Sequence, residues 1–425
     1  MPVSTKDIYR SSMISIFAKS RQEFPALRRE VNGRPAVFFD GPAGSQVPQR
    51  VIAAVSDYWM NHNANHGGAF VTSRESDAIV EQTLEQLALF FNAPDPHSIV
   101  FGANMTTLTF ALSRAIAARW RGGDEVMVTR LDHDANVSPW VRAAQDRGAL
   151  VKHVDIHPED CSFDLDDFKR KLSPRTKLVA VGCASNAVGT RNPVREIAKL
   201  AHEAGALVFL DAVHLAPHAP IDVIDWECDF LVCSAYKFFG PHVGILWGRR
   251  ELLEELPAYK VRPAPETLPD RWMTGTQNFE CIAGVKAAVE YLFDLTKQLA
   301  GAATTGRQSF EKGFNAIEEY ERMQGVRLLK GLAELPSVKV WGVTDPKRLG
   351  ERVPTVSFTH RTKSPLEIAQ FLGDRGIFVW HGNYYALSLT EALGLEPEGM
   401  VRVGLLHYNT AEEVDRLIEA LIELE

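Results

Sequence analysis

The feature that most constrains the fold is the alternation of short apolar runs with helix-period segments between about residues 98 and 250. This alternation is typical of a parallel β-sheet covered by α-helices on both faces. The predicted strands span residues 98–101, 125–129, 150–155, 177–183, 207–210, 229–233 and 243–247, with helices such as 193–204 between them. The sequence therefore predicts an α/β fold whose ligand site lies beyond the carboxyl ends of the strands.

The chain after this predicted sheet indicates a second, smaller α+β domain. A proline-rich loop is followed by a helical stretch at about 277–333 and by short strands near Val338 and Thr355. The last helix begins at Thr410 with the spacing of a capping box, and we expect the first 30 residues to pack on it. The predicted domains are 31–300 for the large one and 1–30 with 301–425 for the small one.

The composition argues against several classes of protein. The chain has 46 lysines and arginines against 54 aspartates and glutamates, and this acidic balance disfavours a nucleic-acid-binding surface. The five cysteines are odd in number and form no CxxC pair, so neither a disulfide framework nor a zinc ribbon is predicted. No apolar run reaches the ~18 residues of a membrane span, and the charged N-terminus lacks the pattern of an export signal. We therefore expect a cytoplasmic protein with no membrane or nucleic-acid partner.

Three polar residues follow three predicted strands in succession, namely Asn186, Asp211 and Lys237. A buried aspartate stays ionised beside a cation such as a pyridinium nitrogen, and a desolvated lysine can lose its proton and attack an aldehyde. Together these groups suit pyridoxal-5'-phosphate (PLP). Taken singly, each has a structural alternative, because an aspartate at a strand end is often a helix cap and a lysine often extends along the surface.

A family resemblance makes this interpretation specific. The segment SAYKFFGP that contains Lys237, followed by GILWG, resembles the Schiff-base segment of class V aminotransferases, most closely the cysteine desulfurase group. Six further motifs occur in order: FFDGPAGSQVP, LDHDANVSPW, SNAVGT, LDAVH, GTQN and VRVGLLHYNT. The resemblance implies a fold-type-I PLP transferase with a mostly parallel seven-stranded sheet, helices on both faces and a smaller α+β domain. It also implies a homodimer with shared active sites.

The resemblance assigns roles around the PLP ring. Lys237 matches the Schiff-base lysine, and Asp211 matches the partner of the pyridine nitrogen. Asn186 matches the residue that donates to the ring oxygen. His133 matches the residue that stacks on the ring, and His214 lies where relatives place a side chain beside the lysine.

The phosphate group is expected where a loop enters a helix, because the free N–H groups and the dipole of the first turn attract an anion. The predicted turn consists of Asn104, Met105 and Thr106. By resemblance, Ser234 and Tyr236 add donors, and Thr276 reaches the phosphate from the partner subunit. Polar residues at helix starts are also ordinary caps, which remains the alternative for each one alone.

Substrate contacts are predicted on other segments. Arg402 falls where the family binds the substrate carboxylate, a task suited to the guanidinium fork, and a structural salt bridge is the alternative. His62 and His66 are four residues apart, but their asparagine-rich setting is poor helix, so no metal site is predicted. We instead expect an active-site loop here, with His66 near the substrate. Asn383 and Tyr385 are also predicted to contact the substrate.

The resemblance fails in the segment VWHGNYYA at 379–386. Cysteine desulfurases carry here an arginine and the cysteine that accepts sulfur, and the aligned residues are Trp380 and Tyr385. A phenol is not a soft nucleophile of low pKa and forms no persulfide. Cys233 or Cys281 could substitute, but both are more simply explained as small apolar residues.

The predicted function is that of a desulfurase-like PLP enzyme. It would bind a small amino acid through an external aldimine, use Lys237 as acid and base, and act as a lyase for β-elimination or carbon–sulfur cleavage. Alternatives are a class V aminotransferase, an amino-acid epimerase, a true cysteine desulfurase that uses another cysteine, and a PLP-binding regulatory protein. A dinucleotide-binding protein is not indicated, because no GxGxxG follows the first strands.

Overall fold

The computed structural model describes residues 5–425, so the first four residues of the predicted small domain lie outside the described part. Thirteen α-helices occur within it. They are α1 Thr5–Arg21, α2 Gln49–Asp57, α3 Val71–Phe91, α4 Met105–Ala117, α5 Ser138–Arg147, α6 Leu165–Lys171, α7 Val194–Glu203, α8 Arg250–Glu255, α9 Phe279–Ala300, α10 Gly306–Ala333, α11 Pro365–Asp374, α12 Leu387–Ala392 and α13 Ala411–Ile422. Of these described helices, none combines the length and the apolar character needed to cross a membrane.

A seven-stranded sheet forms the centre of the larger part of the molecule and confirms the predicted α/β fold. Its strands are β1 Ile99–Gly102, β2 Glu125–Thr129, β3 Leu150–Val154, β4 Thr176–Gly182, β5 Leu207–Asp211, β6 Phe230–Ser234 and β7 Gly244–Gly248. The spatial order is β1-β7-β6-β5-β4-β2-β3. All neighbours are parallel except β7, which runs antiparallel to both β6 and β1. Each predicted strand is therefore present, and the sheet is mostly parallel.

Both faces of this sheet are buried, which explains why its strands are almost continuously apolar. In β4, Val179 and Val181 belong to one hydrophobic cluster, whereas Leu178 and Ala180 belong to the cluster on the opposite face. The same alternation occurs in β5, where Phe209 faces away from its two neighbours. Because side chains alternate along a strand, the two clusters hold helices on both sides of the sheet.

A four-stranded antiparallel sheet organises the second part. Its strands are β8 Val338–Trp341, β9 Thr355–His360, β10 Trp380–Gly382 and β11 Met400–Gly404, in the order β8-β9-β11-β10. A separate hydrophobic cluster joins these strands to α10, α11 and α13. The predicted helical stretch at 277–333 is two helices, and Gly301, with a φ of +77°, follows the end of the first.

The last helix begins with the predicted capping box, but the N-terminal helix packs mainly on α9 and α10, not on that helix. Thr410 and Glu413 form a complete capping box at the start of α13, which satisfies N–H groups of its first turn. Arg21, at the end of α1, donates to a carboxylate oxygen of Glu413 at 2.6 Å. Arg21 thus joins the end of α1 to the start of α13, whereas Phe17 of the same helix stacks on Tyr320 of α10 at a centroid distance of 4.3 Å.

Candidate active site

A cavity opens at the carboxyl edge of the large sheet and encloses about 510 Å³ including its mouth. Its position is the one that open α/β sheets favour for ligands. Eight of the predicted site residues line it: Met105, Thr106, His133, Asn186, Asp211, His214, Tyr236 and Lys237. These residues come from the start of α4, from the end of β5 and from the segments that follow β2, β4, β5 and β6. The fold therefore brings together side chains that are up to 132 residues apart in the sequence.

Lys237 lies in a short 3-10 turn, Ala235–Lys237, directly after β6. Its amine donates to the carbonyl oxygen of Ala43 at 3.1 Å and to that of Pro42. Burial, and next the positive charge of Arg402, lower the pKa of Lys237 to about 7, although nearby carboxylates oppose the shift. Near neutral pH a large fraction of this amine is therefore unprotonated, as a nucleophilic lysine requires.

Asp211 is the last residue of β5 and is only 8% exposed. Within the described part of the chain its carboxylate accepts one hydrogen bond, from the N–H of Val213 at 2.8 Å. Burial raises the pKa of Asp211 to about 6, against the lowering effects of that hydrogen bond and of Lys237. A carboxylate so poorly partnered lacks a cation in contact, and a protonated pyridine nitrogen would supply one.

Asn186 also retains unused hydrogen-bonding capacity. Its Nδ2 donates to the carbonyl oxygen of Tyr384 at 3.0 Å, whereas its buried Oδ1 has no partner among the described residues. A buried orphan acceptor in a cavity is costly unless a ligand or water completes it. The second N–H of Asn186 Nδ2 can donate to a ring oxygen, and the Asp211 carboxylate can accept from a protonated ring nitrogen, so the residues present fit a PLP ring.

Two neutral imidazoles border the same cavity. The Nδ1 of His133 accepts the N–H of Ala135 at 3.0 Å, which places the ring proton on Nε2. Burial, together with the charges of Lys237 and Arg402, lowers the pKa of His133 to about 4. His214 contacts the hydroxyl of Thr355 through Nε2 at 2.9 Å, and burial holds its pKa well below the usual range. Both rings are therefore uncharged at neutral pH.

The predicted phosphate turn is built around the first turn of α4. Asn104 caps this helix, because its Oδ1 accepts the N–H of Thr107 at 2.9 Å. The N–H of Met105 donates to Ser234 Oγ at 3.1 Å, so this serine joins the end of β6 to the helix start. The ring of Tyr236 stacks on that of His242 at a centroid distance of 4.8 Å.

Arg402 lies on β11 of the small sheet and is almost fully buried. Its Nη1 donates to the carbonyl oxygen of Asn186 at 2.9 Å, and its guanidinium carbon lies 4.2 Å from the centroid of the Tyr384 ring. Burial lowers the pKa of Arg402 to about 10, so the group remains charged at neutral pH. The residue is thus a cation held beside the cavity and partnered mainly by neutral groups.

The segment at 383–385 closes over the site from the small sheet. Tyr385 stacks on His133 at a centroid distance of 5.5 Å, and its carbonyl oxygen accepts the N–H of Asp134 at 2.7 Å. The N–H of Tyr385 donates to Asn383 Oδ1 at 3.1 Å. The Tyr385 side chain nevertheless remains 73% exposed. One face of this phenol therefore contacts the site while the rest remains open to solvent.

Among the predicted site residues that do not line this cavity are Asn383, Thr276 and His66. The Asn383 Nδ2 donates instead to Glu396 Oε1 at 3.1 Å. Thr276 and His66 are exposed and line a different groove, formed by α3, the loop before it and the loop before α9. A single chain therefore does not bring them to Lys237.

The two candidate replacement cysteines do not line the cavity within residues 5–425. Cys233 is buried inside β6 and Cys281 is partly exposed in the first turn of α9. Burial raises the pKa of both thiols, which opposes thiolate formation.

The sequence did not single out several residues that line the cavity, among them Pro42 and Asp132. Both lie within the motifs FFDGPAGSQVP and LDHDANVSPW, so their positions were visible in the sequence although their contacts were not. Tyr384 was expected only as part of an aromatic pocket wall, whereas the structure shows it in contact with Arg402 and Asn186.

Comparisons with known proteins agree with this geometry. The family model for class V aminotransferases matches residues 37–417. A probable cysteine desulfurase from Synechocystis sp. is 34% identical over 96% of this chain and 95% of that protein. Among solved structures, the apo cysteine desulfurase of Thermococcus onnurineus NA1 has a TM-score of 0.83 at 27% identity, covering 94% of this chain and 98% of that one. The cysteine desulfurase CsdA of Escherichia coli has a TM-score of 0.82 at 26% identity, covering 96% and 98%.

Proposed function

This chain belongs to the class V aminotransferase family and is a PLP enzyme, and we propose that it is a lyase that breaks a carbon–sulfur bond at the β-carbon of a small amino acid. When bound, PLP supplies an aldehyde for the substrate amine and an electron-withdrawing ring that stabilises negative charge on the α-carbon. The remaining chemistry is the task of the protein side chains.

We assign Lys237 two tasks, covalent attachment of the cofactor and movement of the α-proton. Its pKa of about 7 suits both, because an amine of this pKa accepts and returns a proton near neutral pH. Asp211 is assigned to the pyridine nitrogen, Asn186 to the ring oxygen and His133 to the ring face. Asn186 Nδ2 uses only one of its two N–H groups within the described chain, and the Asp211 carboxylate accepts only one hydrogen bond there, which supports these assignments.

We assign the substrate carboxylate to Arg402. The guanidinium is charged, buried beside the cavity and bonded by Nη1 to a backbone carbonyl, so no carboxylate of the described chain competes for it in hydrogen-bonding contact. A bidentate bond between carboxylate and guanidinium would orient the α-carbon before the proton is moved.

The proposed reaction depends on Tyr385, which aligns with the cysteine that accepts sulfur in cysteine desulfurases. Persulfide transfer needs a thiolate near the cleaved bond, and no cysteine lines the cavity among residues 5–425. Elimination needs only removal of the α-proton and departure of the sulfur group. The balanced products from cysteine and water are sulfide, pyruvate and ammonia, without an external oxidant or reductant.

The test supplies the holoenzyme with L-cysteine and with S-substituted cysteines and quantifies pyruvate, alanine and protein-bound persulfide. We expect pyruvate in large excess over alanine, with no activity in Lys237→Ala. Stoichiometric alanine with a persulfide on Cys233 or Cys281 would replace the proposal with a true desulfurase. Consumption of an amino acceptor would indicate a transaminase, and inversion of the α-carbon without product release would indicate an epimerase.

We also propose a homodimer with shared active sites, in the cytoplasm. The exposed position of Thr276 and His66, away from Lys237, supports the first part, because a second chain could bring them to its neighbour's cavity. The five free cysteines within the described residues are compatible with a reducing compartment.

A further inference from the structure

Three residues form a closed cycle of contacts between the two sheets. The Tyr384 ring covers the Arg402 guanidinium at 4.2 Å, Arg402 Nη1 donates to the carbonyl oxygen of Asn186 at 2.9 Å, and Asn186 Nδ2 donates to the carbonyl oxygen of Tyr384 at 3.0 Å. We propose that Tyr384 is a positioning residue that fixes Arg402 and Asn186 relative to each other and sets the guanidinium edge offered to the substrate carboxylate. This inference rests on the proposed role of Arg402.

The contacts of Arg402 limit where a carboxylate can bind. The tyrosine ring occupies one face of the planar guanidinium, and Nη1 is already bonded to the backbone of Asn186. A carboxylate binds a guanidinium through parallel N–H groups in its plane, not through its face. Within the described residues, Nε and Nη2 have no hydrogen-bond acceptor, so the edge that carries them is the one left for substrate.

The Tyr384 side chain is itself firmly held. Its hydroxyl donates to the carbonyl oxygen of Met400, two residues before Arg402 on β11. The ring packs in a hydrophobic cluster that contains Leu131 and Val188 from the large-sheet loops and Leu389 from α12. A ring anchored at both its edge and its hydroxyl cannot rotate away from Arg402 without breaking this packing.

The backbone of the segment supports a fixed, functional geometry. Tyr384 and Tyr385 have φ values of +56° and +60°, a left-handed conformation that side chains other than glycine rarely adopt. Such a conformation persists where surrounding contacts over-determine it, typically at functional sites. Here the two carbonyl oxygens accept from Asn186 and from the N–H of Asp134, so large-domain residues hold both.

A pair of probes can measure this role without knowledge of the natural substrate. Aminooxyacetate and methoxyamine both capture the PLP aldehyde and change its absorbance, but only aminooxyacetate carries a carboxylate. The ratio of their second-order rate constants in the holoenzyme therefore reports carboxylate recognition. A charge-assisted hydrogen-bonded pair corresponds to a preference of roughly 10- to 100-fold for aminooxyacetate in the unmodified protein.

Four variants separate the possibilities. Tyr384→Leu, which removes the ring, should slow aminooxyacetate more than methoxyamine and so lower the preference by roughly 5- to 10-fold, in line with a desolvated cation–π contact. Tyr384→Phe should keep the preference, because the ring remains. Tyr384→Met, whose unbranched and flexible side chain can fill the space left by the ring, provides the same test if the leucine variant does not fold. Arg402→Gln should abolish the preference.

The outcomes distinguish this inference from the proposed function. If Arg402→Gln abolishes the preference while Tyr384→Leu and Tyr384→Met retain it, the positioning role is wrong and the role of Arg402 stands. If both tyrosine variants slow the two probes equally, the ring serves the cofactor site in general and the inference fails. If the unmodified protein shows no preference for aminooxyacetate, the carboxylate role of Arg402 fails, and the inference fails with it.

Discussion

Two groups of opposite charge face the cavity with pKa values displaced toward each other. Burial raises the pKa of Asp211 to about 6 and lowers that of Lys237 to about 7. Both shifts disfavour the charged form, as expected for groups moved from water into a partly apolar site. Near neutral pH the lysine is therefore partly unprotonated and can act as a nucleophile. A cationic partner would stabilise the ionised form of the aspartate.

Lys237 of the cofactor-free protein should show this shift directly. Competitive labelling with acetic anhydride, quantified by peptide mass, should give a midpoint near pH 7, because the amine is protonated and unreactive below its pKa and reactive above it. Arg402→Gln should raise the midpoint, since the positive charge of Arg402 lowers the pKa of Lys237. Asp211→Asn should move the midpoint below that of the unmodified protein, since the negative charge of Asp211 raises the pKa of Lys237.

Lys171 is a matched internal control for this labelling. Its hydrogen bonds to Asp167 and Asp155 raise its pKa above the ordinary lysine range despite its partial burial, so its midpoint should move in the opposite direction. A common midpoint for both lysines would contradict the desolvated environment that we assign to Lys237.

At the scale of elements, the cavity depends on the close approach of β7 to the start of α4. A Cβ atom built on Gly244, the first residue of β7, would lie 2.3 Å from the backbone carbon of Asn104. That separation is far below a van der Waals contact, so any larger residue would displace the first turn of α4. This turn is the one expected to hold the cofactor phosphate.

Gly244→Ala should therefore weaken both the fold and cofactor binding. We expect the free energy of unfolding to fall by about 1–3 kcal/mol, the usual cost of overpacking, and PLP affinity to fall with it. Gly373→Ala is the control, because a Cβ there meets no atom within 4 Å and the residue lies in α11. That change should be neutral or raise stability by up to about 1 kcal/mol. Denaturant unfolding and PLP titration measure the two effects, and unchanged PLP affinity in Gly244→Ala would argue against the phosphate assignment.

The sequence predicts elements better than it predicts contacts between them. The seven strands follow from local apolar patterning, and Asp211 and Lys237 could be placed near each other because neighbouring parallel strands end at one edge. Gly244 carries no such signal, since a glycine in a strand indicates a close approach without naming the partner. The contacts of Tyr384 with Arg402 and Asn186 join distant segments, and no periodicity encodes them.

At the scale of the whole molecule, the chain presents an exposed apolar surface near the groove that contains Thr276 and His66. The turn after α2 and the start of α3 expose large apolar side chains, and these two segments enclose the loop that carries His66. The residues are Trp59, Met60, Phe70 and Val71, of which Met60 is 72% exposed. Exposed large apolar residues in segments that flank a groove are a feature of protein interfaces.

We expect this surface to be the dimer interface. Met60→Lys combined with Val71→Lys should shift the molar mass measured by light scattering from dimer to monomer, because two buried charges would oppose association. Leu150→Lys, an exposed apolar residue of β3 on another part of the molecule, should leave the dimer intact. A dimer that persists in the double variant would place the interface elsewhere.

Shared active sites lead to a sharper prediction, made with two defective chains. Lys237→Ala removes the nucleophile, and Thr276→Val removes the hydroxyl that we expect to reach the neighbour's phosphate site, so each homodimer should have weak or no lyase activity at limiting PLP. In a hybrid, the cavity with an intact Lys237 faces an intact Thr276 from the other chain, whereas the second cavity carries both defects.

Unfolding and refolding an equimolar mixture should yield about half hybrids, each with one restored site, so activity should approach one quarter of the unmodified level. A Thr276→Val chain that retains full PLP affinity on its own, or a mixture no more active than its parts, would mean that each chain completes its own site and that Thr276 and His66 serve another purpose.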